Sequence, residues 1–155
     1  MTNKIEARIE QLGIKLPQIS VPAANYLLYT KSGNQIFISG QLPSQNGQMK
    51  YVGKVGQDIS VEDAVKAAEI CALNIIAIVK DACGGDLDKV ERCVKLGIFV
   101  NSTADFKDHP KVGNGASNLM VEIFGNIGKH ARFAMGAGSL PFGVAVEIDA
   151  IFEIA

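Results

Sequence analysis

The sequence predicts an α+β domain in which helices cover one face of a β-sheet. A long apolar stripe at helical spacing follows Ser60, and several β-branched runs at strand spacing stand before and after it. After a short N-terminal helix, the predicted order is two strands, a long helix, a strand, a second helix and two strands, a doubled β-β-α-β unit. With 155 residues, 48% of them apolar, we expect one domain over residues 1–155, in which residues 1–20 are a helical extension.

The composition argues against several classes of protein. The formal net charge is −1 and no basic cluster stands out, so nucleic-acid binding has little support. Charged residues interrupt the apolar runs well short of a membrane-spanning length, and the first residues lack the apolar core of a signal peptide, so we expect a cytoplasmic protein without membrane association. The cysteines lack C-x-x-C spacing and the chain has only two histidines, so no metal site is predicted.

The first third of the chain predicts a helix and a hairpin. Residues 4–12 place apolar side chains on one side of a short helix that a glycine ends, and two prolines hold the following connector extended. β-rich runs over residues 26–30 and 35–39 flank a segment that contains Gly33-Asn34. Residues that tolerate positive φ between two such runs are typical of a β-hairpin.

The clearest predicted helix begins after Ser60. The Ser60 side chain can cap the helix, with Asp63 at the reciprocal position, and acidic residues are favourable near the positive end of the helix dipole. The apolar stripe consists of Ala64, Val65, Ala68, Cys71, Ala72, Ile75, Ile76 and Val79. Gly84-Gly85 is expected to end the helix. A stripe of this kind requires a sheet or another helix to cover it.

The second half of the chain predicts a strand, a loop, a helix and a final hairpin. Residues 90–100 alternate as a strand, residues 106–115 are expected to be a loop, and residues 116–125 a helix. The last two runs are expected to pair as antiparallel neighbours around a Gly/Ser/Pro segment. Val146 and Ile148 are expected on the sheet face that the helices leave open, and an apolar face of that kind predicts association with further copies of the chain.

These last two strands carry one arginine and one glutamate among small and apolar residues. In the antiparallel pairing, Arg132 and Glu147 lie roughly opposite each other, where cross-strand side chains meet. An arginine in such surroundings needs an anionic partner, which could be Glu147, a bound carboxylate, or both. Glu147 could orient or deprotonate a water beside the arginine; the alternative is a structural cross-strand salt bridge.

Three other regions are candidates for ligand binding. Ser39 and Gly40 end the second predicted strand, where a glycine lets a ligand approach the backbone; the alternative is a plain strand-ending turn. The hydroxyl of Tyr26 could reach a ligand, or Tyr26 is an amphipathic strand residue whose hydroxyl is in water. Asn118 could donate an amide hydrogen bond into a cleft, or it lies on the helix surface.

The order of these residues resembles the Rid (reactive intermediate deaminase) family, also called YjgF-like, endoribonuclease L-PSP or translation initiation inhibitor proteins. The matching positions are Tyr26, Ile38-Ser39-Gly40-Gln41-Leu42-Pro43, the strand ending at Phe99-Val100, Asn118, Arg132, Leu140-Pro141 and Val146-Glu147-Ile148. The chain differs from short members of the family by its N-terminal extension, a longer segment between Phe106 and Arg132, and Phe133 in place of a small residue. These changes border the expected cleft and bear on substrate size.

The resemblance implies a chorismate-mutase-like α+β fold, a homotrimer with clefts between subunits, and no metal or organic cofactor. The implied activity is hydrolysis of reactive enamine and imine intermediates, such as 2-aminoacrylate, to 2-keto acids and ammonia. The implied partners are therefore a small imino or keto acid and further copies of the chain. By this resemblance Arg132 binds the substrate carboxylate, the backbone N–H of Ala134 assists it, and Glu147 positions the water. The remaining residues implied to line the cleft are Tyr26, Ser39, Gly40 and Asn118.

Two other functions stay open at this point. A non-catalytic protein that binds small carboxylates and regulates a partner would use the same arginine without turnover. Ribonuclease activity or translation inhibition, which the older family names suggest, is disfavoured by the slightly acidic composition and the lack of a basic stripe.

Overall fold

The computed structural model describes residues 3–155, which form a five-stranded sheet with two long helices packed against it. The helices are α1 (Lys4–Gln11), α2 (Val61–Ala82) and α3 (His109–Phe124). The strands are β1 (Tyr29–Ser32), β2 (Gln35–Gln41), β3 (Ser44–Gln45), β4 (Gln48–Met49), β5 (Val90–Asn101), β6 (Ala131–Ala137) and β7 (Val146–Ile154). The sheet order is β1-β2-β7-β5-β6, and β3 pairs with β4 in a separate small hairpin. The predicted α+β architecture is confirmed.

Helix α2 forms because its sequence satisfies both its N-terminus and its buried face. Ser60 Oγ accepts a hydrogen bond from the backbone N–H of Asp63 at 3.1 Å, as predicted. Within the predicted stripe only Val65 stays partly exposed, and the other residues are buried against the sheet and α3. Gly84 and Gly85 follow with φ of 65° and 93°, which glycine adopts without steric cost. Each large aliphatic side chain buried here contributes about 1.5–3 kcal/mol, so the stripe fastens the helix to the sheet.

Strands β1 and β2 form the predicted hairpin, with a tighter turn than expected. Ser32 pairs with Gln35, so only two residues connect the strands, and the first of them, Gly33, has φ of 61°. A glycine at this position suits the right-handed twist of antiparallel strands. Because β1 begins at Tyr29, Tyr26 lies in the loop before the strand rather than at its start.

The predicted hairpin between the last two strands is wrong, because β5 lies between them. β6 pairs in parallel with β5, with Arg132 beside Leu96, whereas β7 pairs antiparallel with β5, with Glu147 beside Phe99. β7 presents an uninterrupted buried row to the helices and occupies the centre of the sheet, while the partly exposed β6 forms an edge. Alternation along a strand does not distinguish these arrangements, since it specifies the face of each side chain and not the neighbouring strand.

Helix α3 begins earlier than predicted and includes most of the segment expected to be a loop. Pro110 lies in its first turn, where a missing N–H costs no hydrogen bond. A Cβ at Gly113 would stand 3.0 Å from Arg132 Nη1, and one at Gly115 would collide with the backbone carbonyl oxygen of Val65. These two glycines therefore allow α3 to pack closely against Arg132 and α2. In the sequence, the same glycines make the segment resemble a loop.

The open face of the sheet carries a different apolar set from the one expected. Val146 and Ile148 are fully buried, because the even-numbered residues of β7 face the helices. The apolar side chains on the opposite face are Phe37, Phe99, Phe133, Met135 and Ile151. Phe37 and Met135 are 41% and 49% exposed, so this face offers apolar surface to a partner.

The N-terminal helix α1 is attached to the rest of the fold at its first turn. The carboxylate of Asp88 accepts hydrogen bonds from the backbone N–H groups of Lys4 at 3.0 Å and Ile5 at 2.9 Å. These bonds lower the pKa of Asp88 below its ordinary value. Asp88, which is distant in sequence, thus caps the N-terminus of α1. Ile9, on the same helix, is buried in the core.

Candidate functional site

Arg132 lies on the helix-facing side of the edge strand β6, where α3 holds its guanidinium. Nη1 donates a hydrogen bond to Ser117 Oγ at 3.0 Å, and Nη2 donates to the backbone carbonyl of Pro110 at 3.3 Å. Gly113, between these two residues on the same helix, leaves the space that the guanidinium occupies. Neutral groups of a single helix therefore fix the direction of this charged side chain.

The structural alternative for Arg132, a cross-strand salt bridge with Glu147, is wrong. β5 separates the two strands, and the two side chains face opposite sides of the sheet. Within residues 3–155, no Asp or Glu oxygen lies within 4.0 Å of this guanidinium. The ion pairs of that part of the chain join Lys66 to Asp63 and Lys80 to Glu6. Arginine has five N–H donors, so with two used the others remain for an anion.

Glu147 lies on the open face of the sheet, against Gly40 of β2. A Cβ at Gly40 would collide with Glu147 Oε2 and stand 3.1 Å from its Cδ, so the absence of a side chain makes room for the carboxylate. Burial, and then the neighbouring charge of Asp149, raise the pKa of Glu147 above its ordinary value of 4.5. A carboxylate with a raised pKa is a better proton acceptor than a fully exposed one.

Arg132 and Glu147 cannot contact the same small molecule within one copy of the chain. They face opposite sides of the sheet, and the intervening strand separates β6 from β7 by about 10 Å. Among residues 3–155, β6 is an edge strand, and no strand in that range pairs with the backbone along its outer side. A site that used both residues would have to form between two copies, with the edge of one copy next to the open face of the other.

Ser39 holds the loop that carries Tyr26. Ser39 Oγ donates a hydrogen bond to the backbone carbonyl of Leu27 at 2.6 Å, so its hydroxyl is already used within the chain. Tyr26, the preceding residue, is 58% exposed. The structure therefore brings Tyr26, Ser39 and Gly40 to one region, in which Gly40 adjoins Glu147 directly.

Asn118 lies apart from this region and from the guanidinium of Arg132. It lines a groove of about 300 Å³ together with Glu69 of α2 and Glu122 of α3. Burial and the charge of Glu122 raise the pKa of Glu69, which indicates that carboxylates crowd this groove. Adjacent residues of a helix point about 100° apart, and it is Ser117 that faces Arg132.

Several residues around Arg132 are not foreseen from the sequence. Pro110, Gly113 and Ser117 hold the guanidinium, and their spacing of three and four is the spacing of one helix face, a signal hidden by the loop-like composition. His130 joins them, although it precedes β6: its Nε2 lies 2.9 Å from Ser117 Oγ. Ala134 lies beyond Arg132 on the same strand face, and its Cβ would be 3.6 Å from a Cβ at Gly113.

A larger cavity of about 580 Å³ lies at the carboxyl ends of the parallel strands β5 and β6. Lys54 and His109 are among its lining residues, and neither Arg132 nor Glu147 lines it. Lys54 Nζ donates to Asn101 Oδ1 at 2.9 Å and to the carbonyl of Gly138 at 2.7 Å. These bonds attach the loop that carries Lys54 to the ends of both strands.

The described residues also limit what else the chain can bind. Within residues 3–155, no three His, Cys, Asp or Glu side chains lie close enough to hold one metal ion. No helix in the same range is long and apolar enough to cross a bilayer. Cys71, Cys83 and Cys93 are buried and unpaired with one another, and burial raises the pKa of Cys93 to about 12. Thiols of this kind stay neutral and are poor nucleophiles.

Comparisons with known proteins give one family match and several relatives. Residues 6–152 match a family model described as YjgF/chorismate_mutase-like, with an endoribonuclease designation. The chain is 44% identical to protein TCP17 of Trypanosoma cruzi over 99% of this chain and 96% of TCP17, and 30% identical to protein HMF1 of Saccharomyces cerevisiae over 83% and 84% of the two chains. The crystal structure of Atu1372 from Agrobacterium tumefaciens, a protein of unknown function, has a TM-score of 0.92 and 48% identity, covering 99% of this chain and 94% of Atu1372.

Proposed function

Because this chain belongs to the YjgF/chorismate_mutase-like family, we propose that it hydrolyses reactive enamine and imine intermediates, such as 2-aminoacrylate, to 2-keto acids and ammonia. Arg132 binds the substrate carboxylate, and Glu147 positions the attacking water and accepts its proton. The proposed reaction needs no redox chemistry, since water adds and ammonia leaves.

The observation that carries this proposal is the guanidinium of Arg132, which has no anionic partner among the described residues. Ser117 and Pro110 occupy two of its N–H groups with neutral acceptors. A half-buried cation without a counter-charge is unfavourable, and a bound anion removes that cost. The planar fork of arginine matches a carboxylate in a bidentate pair.

The chemistry requires little more than a positioned water and one base. An enamine such as 2-aminoacrylate tautomerises to the imine, whose C2 is electrophilic. Water attacks C2 while Glu147 accepts its proton, so that a C–O bond forms and a carbinolamine results. Glu147 returns that proton to the nitrogen. The hydroxyl proton of the carbinolamine is then transferred to the nitrogen as the C–N bond breaks and the C=O bond forms, so that ammonia and the 2-keto acid are released. Since the imine is already reactive, positioning and general-base catalysis suffice.

The proposed site lies between two copies of a homotrimer. The opposite orientations of Arg132 and Glu147 support this arrangement, because one copy alone cannot apply both residues to one molecule. The apolar open face and the unpaired edge of β6 supply surfaces for such an association. The residues proposed to accompany them are Ala134 beside Arg132, and Tyr26, Ser39 and Gly40 beside Glu147. Asn118 contacts the ligand only if association brings its groove alongside the site.

Turnover of 2-aminoacrylate tests the proposal. The intermediate is generated enzymatically, and 2-keto acid release is followed above the spontaneous rate. Two charge-assisted hydrogen bonds of about 1.5–3 kcal/mol each predict that Arg132→Ala lowers kcat/KM by about 10²–10⁴-fold. Arg132→Lys keeps the charge without the fork and is expected to fall in between. Arg8→Ala, at an exposed arginine of α1, is the matched control. Unchanged turnover in Arg132→Ala would refute the assignment.

A non-catalytic role as a sensor of small carboxylates is the second candidate, and the same unpaired guanidinium favours it. It predicts binding of 2-keto acids that depends on Arg132, with no turnover of any imino acid. Calorimetric titration with 2-keto acids, run beside the turnover assay, separates the two functions.

Endoribonuclease activity is the third candidate, because the description of the matching family includes it. The formal charge of −1 gives this activity little electrostatic support. RNA cleavage that survives rigorous repurification and disappears in Arg132→Ala would favour it over deamination.

A further inference from the structure

Ser117 holds the guanidinium of Arg132, and His130 contacts Ser117 in turn; the proposed function gives neither residue a catalytic or ligand-binding role. We propose that Ser117 and His130 are positioning residues for Arg132: the imidazole fixes the direction of the Ser117 hydroxyl, and that hydroxyl fixes the guanidinium. The positioning of Arg132 is inferred from hydrogen-bond geometry; its effect on carboxylate binding rests on the proposed function.

The contacts among these residues have one consistent hydrogen-bond polarity. His130 Nδ1 lies 2.6 Å from the carbonyl oxygen of Gly128, which can only accept, so Nδ1 carries the hydrogen. In the neutral ring Nε2 is then an acceptor, and Ser117 Oγ donates to it over 2.9 Å. Arg132 Nη1 can only donate, so Ser117 Oγ accepts from it at 3.0 Å. The single hydroxyl proton of Ser117 therefore points to His130, and a lone pair points to Arg132.

The arrangement differs from what a helical serine does by default. A serine inside a helix often bonds to a carbonyl of the preceding turn, whereas Ser117 bonds across to the chain segment around β6. The acceptor for His130 is itself held in place. Gly128 is buried, and a Cβ there would collide with the backbone carbonyl oxygen of Met120, so the 3₁₀ turn Gly125–Gly128 packs directly on α3.

Two anchors define the plane of the guanidinium. Ser117 Oγ holds Nη1 and the Pro110 carbonyl holds Nη2, so the remaining N–H groups of Arg132 have fixed directions. With Ser117 removed, one anchor remains and the guanidinium can turn about it. A carboxylate then binds less well, while the steps after binding, which use Glu147, proceed as before.

Steady-state kinetics with 2-aminoacrylate test this division of roles. Ser117→Ala is expected to raise KM about tenfold and His130→Ala about threefold, with kcat within about twofold of wild type. His130→Gln restores KM, because its amide oxygen can accept the same hydrogen bond. Lys107→Ala, at an exposed residue just before α3, is the matched control.

The double variant Ser117→Ala/His130→Ala distinguishes positioning from separate structural effects. If His130 acts through Ser117, the double variant has the KM of Ser117→Ala alone. Multiplication of the two effects would overturn the proposal, as would a loss of kcat without a change in KM.

Nitrogen-15 NMR tests the hydrogen-bond chain independently of any turnover. We expect His130 to be protonated at Nδ1 and not at Nε2, and the Nη signals of Arg132 to average more rapidly in Ser117→Ala than in wild type. The opposite tautomer, or identical Arg132 signals in both proteins, would overturn this inference. If these signals behave as expected but wild-type protein shows no turnover, only the proposed function fails.

Discussion

The substitution Gly40→Ala is expected to reduce activity while leaving the fold nearly unchanged. The new Cβ would collide with Glu147 Oε2 and stand 3.1 Å from Cδ and 3.4 Å from Cγ of the same side chain. Gly40 does not have positive φ, so its backbone conformation accepts alanine. Because the obstructing atoms belong to the far end of a flexible side chain, the carboxylate moves and the backbone stays.

The size of the effect follows from this displacement. Relief of the overlap moves the carboxylate by about 1 Å, and a misplacement of that size costs about 100-fold in rate for a group that must be held for proton transfer. Gly40 is exposed, and no backbone shift is required. The free energy of unfolding is therefore expected to change by no more than about 0.5 kcal/mol.

The assay measures kcat/KM with 2-aminoacrylate alongside thermal unfolding. Gly138→Ala is the matched control, because Gly138 also lacks positive φ and a Cβ there meets nothing within 4 Å. A full rate in Gly40→Ala would refute the role of Glu147 orientation. A large loss of stability in Gly40→Ala would show that the backbone had moved, contrary to the reasoning from the side chain.

The further predictions concern the packing of α3 on α2, the pH dependence that Glu147 causes, and the accessibility of Cys93. In an exposed helix, a glycine-to-alanine substitution raises the free energy of unfolding by about 1 kcal/mol. At Gly115 the new Cβ would collide with the Val65 carbonyl oxygen, so we expect Gly115→Ala to lower the free energy of unfolding in urea by about 1–3 kcal/mol. An increase would contradict the close packing of α2 on α3. Because burial raises the pKa of Glu147 above 4.5, activity should fall as pH decreases through the raised value, and a flat acid limb would contradict the role of Glu147 as a base. The folded chain binds this proton more tightly than the unfolded chain, so its contribution to stability is present below 4.5 and lost as pH rises through the raised pKa; Glu147→Gln should accordingly stabilise the chain only above that range. Cys93, with a pKa of about 12, should react with a disulfide reagent only when the chain unfolds, and rapid labelling of folded protein would show that it is accessible.

Elements whose signals are local could be predicted from the sequence. Ser60 and the apolar stripe after it specify α2, since a cap and a helical period are properties of neighbouring residues. Gly33 specifies the hairpin between β1 and β2 for the same reason. Alternation along β7 also correctly places Glu147 on the face opposite Val146 and Ile148, because that relation lies within one strand, but it does not specify which of the two faces the helices cover.

The partners of Arg132 were decided by tertiary structure alone. Strand alternation does not specify the neighbouring strand, and the insertion of β5 between β6 and β7 moves Glu147 to the other face and two strands away. The groups that hold the guanidinium come from α3, whose first turns carry a proline and two glycines and so resemble a loop in the sequence. The roles of those residues follow from the packing of α3 on β6, where Gly113 leaves space for the guanidinium and Ser117 Oγ accepts a hydrogen bond from it. An arginine in the sequence predicts that an anion is needed nearby; whether the protein supplies that anion or leaves the position to a ligand depends on contacts between segments far apart in the chain.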